Sequence, residues 1–155
     1  MTTSLYDRCA QDAAASVIVA YSTSFALASR LLGPRVRTHV RSVYALVRVA
    51  DEIVDGAADE ALVPAPTQRL LLDEFEAETL TAIARGFSTN LIVHAFALAA
   101  RECGIDGELV RPFFASMRTD LTRTEHDAQP HDAYVYGSAE VVGLMCLQVF
   151  VNAGR

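Results

Sequence analysis

Apolar residues recur at intervals of three and four along most of the chain, and this spacing is typical of amphipathic α-helices. Turn and capping signals divide the pattern into predicted helices at about residues 5–20, 22–31, 34–55, 67–85, 88–104, 106–124 and from 132 onward. Residues 56–66, GAADEALVPAP, form the clearest predicted loop, and residues 125–131 form a predicted turn. Alternating strand patterns are absent from the sequence. These features predict one all-α domain spanning residues 1–155.

Single residues mark most of the predicted helix ends. The pair Gly33-Pro34 separates the second and third helices, with the proline near the first turn of the third. Ser88, Asp106 and Asp132 are the predicted N-caps of the last three helices.

The third predicted helix carries charge where its surroundings are apolar. Residues 44–55 read YALVRVADEIVD, and helical spacing places Tyr44, Arg48, Asp51, Glu52 and Asp55 along one face. The residues between and around them are almost all Val, Leu, Ile or Ala. A surface helix would surround such charges with other polar residues, so this face is predicted to meet a cavity.

The charges in this stretch suit the binding of a metal and a diphosphate. Asp51 and Asp55, at positions i and i+4, can aim two carboxylates at one Mg²⁺, which prefers oxygen ligands and shares substrate phosphates. Arg48 lies one turn away and can bind a diphosphate with two hydrogen bonds. The ordinary alternative is a solvated acidic stripe with an internal Arg–Asp pair, and the apolar flanks weigh against it.

Three further clusters have both an ordinary and a functional explanation. YSTSF at 21–25 lies near a helix start, where hydroxyls suit an anion or simply cap the helix. SMRTDLTRTEHD at 116–127 is typical of a solvated helix end with intrahelical ion pairs. YVYGSAEVVGLM at 134–145 contains small residues that indicate close packing or a cavity wall. His94, within LIVHAFAL, is predicted to be a hydrogen-bonded core histidine.

The composition excludes several classes of function. The chain is 52% hydrophobic with a formal net charge of −6, and all 13 of its basic residues are arginine, so general binding to nucleic acid is not expected. No apolar run reaches the roughly 18 residues of a membrane span, although contact with a membrane surface is compatible with the sequence. Three widely spaced cysteines and no signal peptide favour a cytoplasmic protein with reduced thiols.

Taken together, four segments resemble the squalene/phytoene synthase family, most closely its bacterial phytoene synthases. YSTSFALASRLL resembles the family's opening Tyr-Ser-x-Ser-Phe segment, and RSVYALVRVADEIVD resembles its first aspartate-rich motif. SMRTDLTRTEHD and YVYGSAEVVGLM resemble the segments that precede its second aspartate-rich motif. The resemblance implies an all-α isoprenoid-synthase bundle that joins two prenyl diphosphates, geranylgeranyl or farnesyl, head to head with Mg²⁺.

The resemblance also assigns roles to residues. It implies Asp51 and Asp55 as Mg²⁺-diphosphate ligands and Arg48 as a diphosphate contact. It implies that Tyr44 lines the reaction cavity and that Tyr134 and Tyr136 lie near the reacting carbons. The residues implied to bind substrate on the opening segment are Ser22, Ser24 and Phe25.

One departure from the family pattern affects completeness. No D-x-x-x-D occurs after Asp59, so the second aspartate-rich motif is not found in these 155 residues and the bundle is expected to be incomplete at its C-terminal side. The chain is then expected to be part of a longer enzyme, a half that pairs with itself or with a partner chain, or an inactive relic. The alternatives in function are a squalene or dehydrosqualene synthase, and a non-catalytic half-domain that binds a prenyl diphosphate.

Overall fold

The computed structural model describes the backbone of residues 3–126 and 132–153, and side chains over 3–122 and 139–153. Within these residues the chain forms helices and no strand, which confirms the all-α prediction. The helices are α1 (Leu5–Tyr21), α2 (Thr23–Ser29), α3 (Pro34–Asp55), α4 (Ala57–Glu60), α5 (Ala65–Arg85), α6 (Leu91–Cys103), α7 (Gly107–His126) and α8 (Asp132–Ala153).

Helix α3 lies at the centre of the bundle. Its apolar residues recur at helical spacing and are buried against α1, α6 and α8, and the buried set includes Val40, Val43, Leu46, Ala50 and Val54. Pro34 occupies its first turn, where a missing N–H costs nothing. The core continues through large side chains of the other helices, among them Leu72, Phe96, Phe113, Phe114, Met117 and Met145.

The structure corrects one predicted helix cap. Asn90, not Ser88, begins α6, because the Asn90 side chain accepts hydrogen bonds from the backbone N–H groups of Ile92 and Val93. Ser88 is fully buried and joins two elements instead, since its hydroxyl donates to Glu78 over 2.8 Å. Asp106 does cap α7, because its carboxylate accepts from the backbone N–H of Glu108.

The predicted loop at 56–66 contains the one-turn helix α4. This turn is held at both ends. At its start, the Glu52 side chain accepts a 2.7 Å hydrogen bond from the Ala57 backbone N–H. The buried amide of Gln68 on α5 donates to the Ile53 carbonyl and to the Asp59 carboxylate, each over 2.9 Å. The C-terminal end of α3 is thus fixed to α4 and α5. Polar side-chain contacts of this kind leave no periodic signal in a sequence, so they were not predicted.

Helix α8 is apolar on two sides. Met145, Val149 and Ala153 are buried against the bundle, whereas a second set faces outward, made up of Leu144, Leu147, Phe150 and Val151. None of the helices in the described part of the chain combines the length and apolarity needed to cross a membrane. The expectation that the chain pairs with itself or with a partner chain stays a prediction.

Candidate functional site

The C-terminal half of α3 holds a pre-oriented guanidinium. Arg48 donates from Nε to Glu52 Oε1 over 3.0 Å, its Nη2 donates to the same oxygen, and its Cζ lies 4.6 Å from the centre of the Tyr21 ring. The hydrogen bond to Glu52 is the largest influence raising the pKa of Arg48 above its usual value. The internal ion pair of this helix is therefore Arg48–Glu52 rather than the Arg–Asp pair weighed as an alternative.

Glu52 is a junction between this ion pair and the following turn. Its pKa is lowered, first by the hydrogen bond from Arg48 and then by the Ala57 backbone N–H. Tyr21 at the end of α1 is a further, smaller influence that lowers this pKa. Tyr21 and Glu52 belong to stretches that the sequence pointed to, but their role in holding Arg48 was not predicted.

Asp51 is the carboxylate with the most unusual surroundings. It is largely buried, and burial is the main cause that raises its pKa to about 6, although Arg48 opposes this. Three nearby carboxylates raise the pKa further, namely those of Asp120, Glu52 and Asp55. The Asp51 carboxylate thus lies in an environment with an excess of negative charge, which favours a cation.

The other predicted metal ligand, Asp55, is exposed at the end of α3. Among the described residues, no three His, Cys, Asp or Glu side chains converge as a ready-made metal cluster. The structure therefore brings Asp51 and Asp55 to one end of α3 but does not by itself form a complete protein cage for an ion.

Asp120 of α7 is the main residue that the sequence analysis missed. The segment 116–127 was expected to be a solvated helix end, yet Asp120 is only 5% exposed and its charge acts on Asp51. The signal was present, because Phe113, Met117 and Asp120 follow the i, i+4, i+7 spacing of a buried helix face. The helix delivers this carboxylate to the interior because its neighbours on that face are core residues.

The ion pairs of the same segment also differ from expectation. Arg118 donates to Asp73 Oδ1 over 2.8 Å and also to Glu76, and both acceptors lie on α5. The described pairs of Arg118 are therefore between helices rather than within α7, and they hold α7 against α5.

An aromatic wall lies beside Arg48. Phe25 of α2 stacks on Tyr44 of α3 with ring centres 5.5 Å apart and an angle of 25° between the planes. The Ser22 hydroxyl accepts a 3.2 Å hydrogen bond from the Phe25 N–H, so the capping explanation holds for Ser22. Ser24 is exposed on the same short helix, and the side chains of Tyr134 and Tyr136 lie outside the described residues.

His94 is a hydrogen-bonded core residue, as predicted. Its Nδ1 accepts from the Ser88 backbone N–H over 3.1 Å, so its Nε2 carries the proton donated to Asp7 over 2.7 Å. This pair ties α1 to α6 and lies outside the charged stretch of α3.

The comparison with known proteins decides the family. A family model described as squalene/phytoene synthase matches residues 18–155. The chain belongs to this family. The squalene/phytoene synthase match begins near the end of α1 and includes every residue of the site described above. The helical bundle agrees with the isoprenoid-synthase type of fold.

Curated relatives show the same affiliation. Phytoene synthase 1, chloroplastic, of Arabidopsis thaliana is 30% identical over 147 residues, which cover 93% of this chain and 32% of that protein. Phytoene synthase 2, chloroplastic, of Solanum lycopersicum is 28% identical over 145 residues, covering 93% of this chain and 43% of that protein. The chain therefore spans about a third of the length of the first relative and less than half of the length of the second.

Proposed function

We propose that this chain supplies the first aspartate-rich side of a phytoene-synthase-like prenyltransferase, which condenses two geranylgeranyl or farnesyl diphosphates head to head with Mg²⁺. The observation that carries the proposal is the partly buried Asp51 carboxylate, which lies among other carboxylates and one helical turn from a guanidinium held by Glu52. The carboxylates suit the Mg²⁺ that accompanies a diphosphate, the guanidinium suits the diphosphate itself, and the nearby aromatic rings suit the prenyl chain. The family membership supports the same reaction class.

The carboxylates of Asp51 and Asp55 would supply some of the oxygen ligands of Mg²⁺, and a diphosphate would supply others. Mg²⁺ is commonly held by one or two carboxylates together with phosphate oxygens and water. Asp51 and Asp55 would be those carboxylates, with the charge of Asp120 behind Asp51. The chemistry that a bound Mg²⁺ supplies is neutralisation of the diphosphate as it leaves.

Arg48 contributes a positioned positive charge. Its Nε and Nη2 are engaged by Glu52, whereas Nη1 has no hydrogen bond within the described residues. Glu52 and the Tyr21 ring hold the guanidinium in place before substrate arrives, so little reorganisation is needed when the diphosphate accepts a hydrogen bond from Nη1. Binding through the remaining Nη1 edge replaces the two-bond contact expected from the sequence.

The Phe25–Tyr44 wall contributes protection of the reacting carbons. Loss of diphosphate from an allylic chain leaves a carbocation that water would capture, and aromatic faces both exclude water and stabilise positive charge. The second prenyl chain can then attack this cation. Phe25 is partly exposed, which leaves the wall open on one side to receive a substrate chain.

Calorimetry tests the binding part of the proposal. A non-hydrolysable geranylgeranyl diphosphate analogue is titrated into the 155-residue chain with and without Mg²⁺. We expect tighter binding with Mg²⁺, and loss of this difference in an Asp51→Asn/Asp55→Asn variant. The matched control is Asp12→Asn, an exposed carboxylate on α1 that should behave as wild type. Equal affinity with and without the ion would contradict the proposal.

Turnover tests the catalytic part. The described carboxylates near Asp51 come from α3 and α7, and condensation requires two diphosphates to ionise. We expect the 155-residue chain to give no phytoene from geranylgeranyl diphosphate and Mg²⁺ alone. Adding a chain that carries a second aspartate-rich motif should restore product, if the outward side of α8 or another surface receives it. Binding without turnover under both conditions would favour the non-catalytic half-domain.

A further inference from the structure

Two adjacent polar side chains near the start of α1 are fixed to the bundle by directional contacts. His94 Nε2 of α6 donates to Asp7 Oδ1 over 2.7 Å, and the His94 side chain is only 3% exposed. The Tyr6 hydroxyl donates to the Ser88 carbonyl over 2.6 Å, and the Tyr6 ring meets the His94 ring edge-on with centres 4.6 Å apart. The start of α1 is therefore tied to α6 and to the turn that precedes it.

Further along, α1 meets the bundle mostly through small side chains. A buried cluster separate from the main core joins α1 to α3 and α6, and its fully buried members are Ala10, Ala14, Ala45 and Ala95. Ile18 is the large fully buried side chain of this helix. Two helices interlock through the ridges that their side chains form, so a row of alanines gives little preference for one axial position over another. The position of α1 along its own axis is therefore left largely to the polar contacts at its start.

The other end of α1 carries part of the proposed substrate site. The Tyr21 ring faces Arg48, whose guanidinium carbon lies 4.6 Å from the ring centre. Helix α2 begins two residues later, and its Phe25 stacks on Tyr44 of α3. A shift of α1 along its axis would therefore disturb both the ring that holds Arg48 and the aromatic wall.

We propose that Tyr6 and Asp7 are positioning residues for the diphosphate site, because they fix the axial position of α1 and α1 holds Tyr21 against Arg48. Asp7 and Tyr21 are fourteen residues apart, which corresponds to about 21 Å along a helix. Backbone hydrogen bonds close every turn of the helix, so a displacement at one end is carried to the other. The consequence for binding rests on the proposed function, whereas the position of Tyr21 can be measured without a ligand.

Fluorescence quenching tests the positioning. The chain contains no tryptophan, so Tyr21→Trp introduces a single fluorophore at the end of α1. In this background Asp7→Ala should raise the acrylamide quenching constant about twofold, because a ring released from Arg48 exposes two faces in place of one. Asp7→Asn should keep the parent value, since its amide oxygen still accepts from His94 Nε2. Tyr6→Phe removes only the hydroxyl contact and should give a smaller increase.

Ser4→Ala is the matched control for loosening of the helix end. The Ser4 hydroxyl caps α1 by accepting from the Asp7 backbone N–H over 3.0 Å, so this variant removes the cap and leaves the pair with His94 in place. We expect the parent quenching constant from Ser4→Ala. Unchanged quenching in Asp7→Ala, or an equal increase in Ser4→Ala, would overturn the inference. If circular dichroism shows that Asp7→Ala does not fold, the comparison of Tyr6→Phe with Ser4→Ala decides in the same way.

Calorimetry on chains that retain Tyr21 connects position to binding. Asp7→Ala should weaken Mg²⁺-dependent binding of the diphosphate analogue about fivefold, the loss expected when the ring contact of Arg48 is broken, and Asp7→Asn should not. Raised quenching with unchanged affinity would overturn the positioning role in binding. If the wild-type chain does not bind the analogue, the proposed function fails, and the quenching comparison still decides whether Tyr6 and Asp7 position Tyr21.

Discussion

The two ends of α3 carry opposite charges, and both are placed against the helix dipole. The N-terminal end has Arg35 and Arg37 and no acidic residue in its first turn, whereas the C-terminal end has Asp51, Glu52 and Asp55 and no basic residue in its last turn. The helix dipole favours acidic residues at the N-terminal end and basic residues at the C-terminal end. Each charge at the wrong end therefore costs about 0.3–1 kcal/mol. The helix therefore keeps this arrangement for a reason other than its own stability.

Burial along the middle of α3 outweighs the cost at its ends. Six buried apolar residues line the helix, including Val43 and Leu46 at 0% exposure, and each large one contributes about 1.5–3 kcal/mol on full burial. Their sum exceeds the cost of several misplaced charges. The central stripe thus allows both ends of the helix to carry unfavourably placed charges.

The two ends also treat their charges differently. At the N-terminal end, Arg35 and the buried His39 both contact Glu102 of α6, which fixes the helix to its neighbour. At the C-terminal end, Glu52 neutralises Arg48 while Asp51 is left among like charges. A partly buried carboxylate whose pKa is raised despite the nearby Arg48 costs stability, so this end is where substitutions should have the largest effect.

Asp51→Asn should produce the largest change, because it removes the buried charge. The folded-state pKa of Asp51 is raised to about 6, so the cost of ionising it develops as pH rises from about 4 to 6 and is constant above that. In metal-free buffer at pH 7 the variant should be more stable than wild type, by up to about 2–3 kcal/mol. Urea unfolding at a series of pH values measures this.

The advantage of Asp51→Asn should shrink below pH 6 and vanish below about pH 3, where the wild-type carboxyl is protonated in both the folded and the unfolded state. Glu74→Gln, an exposed carboxyl on α5, serves as the control and should show no such trend. A variant less stable than wild type at pH 7 would mean that Asp51 is satisfied by its neighbours, and the contrast between the two ends of α3 would fail.

Arg48→Lys keeps the positive charge at the C-terminal end of α3 and removes the planar guanidinium. We expect diphosphate-analogue binding to weaken several-fold, about 1 kcal/mol, because lysine cannot hold the same geometry against Glu52 and the Tyr21 ring. The melting temperature should change little, and isothermal titration with parallel calorimetric melting gives both quantities. A large loss of stability with unchanged binding would instead identify a purely structural ion pair.

Arg37→Gln probes the basic end. This arginine donates to three backbone carbonyls at the end of α2, so its loss should cost roughly 1 kcal/mol of stability. Arg30→Gln is the matched control, since Arg30 is exposed and makes no side-chain contact of this kind within the described residues. Equal melting temperatures for both variants would show that the backbone contacts of Arg37 contribute nothing.

Asp55→Asn should have the smallest effect on stability, and it should be favourable. Removing a negative charge from the exposed C-terminal turn of α3 relieves the helix dipole by about 0.3–1 kcal/mol. The same change should weaken Mg²⁺-dependent binding of the analogue. A variant that loses stability and retains binding would remove Asp55 from the proposed site.

The helices of this fold were predictable because their signals are local. The 3.6-residue period predicted α1, α3, α5 and α6 to within about three residues, and the apolar flanks of the α3 charges predicted that Asp51 would be withdrawn from water. Arg48 and Tyr44 were likewise recognised from spacing along a single helix. Features confined to one element can be read from sequence because one period governs them.

Apart from the choice of Glu52 as the partner of Arg48, the unpredicted features depend on contacts between elements. Asp120 reaches Asp51 from α7, and Tyr21 reaches Arg48 from α1, over separations in sequence that no helical period connects. Ser88 was taken for a helix cap because its role, a hydrogen bond to Glu78 across a turn, leaves the same local signature as a cap. The partner of a polar residue is decided by packing, which pattern alone does not supply.

The two carboxylate oxygens of Glu52 make a backbone amide into a reporter of substrate binding. One oxygen accepts from Arg48 and the other accepts from the Ala57 N–H at 2.7 Å. A diphosphate that draws on Arg48 changes the charge felt by the whole carboxylate, and the Ala57 hydrogen bond must shorten or lengthen in response. The NMR resonance and hydrogen-exchange rate of the Ala57 amide should therefore change when a ligand binds at Arg48. Binding can then be followed without a measurement of catalytic turnover.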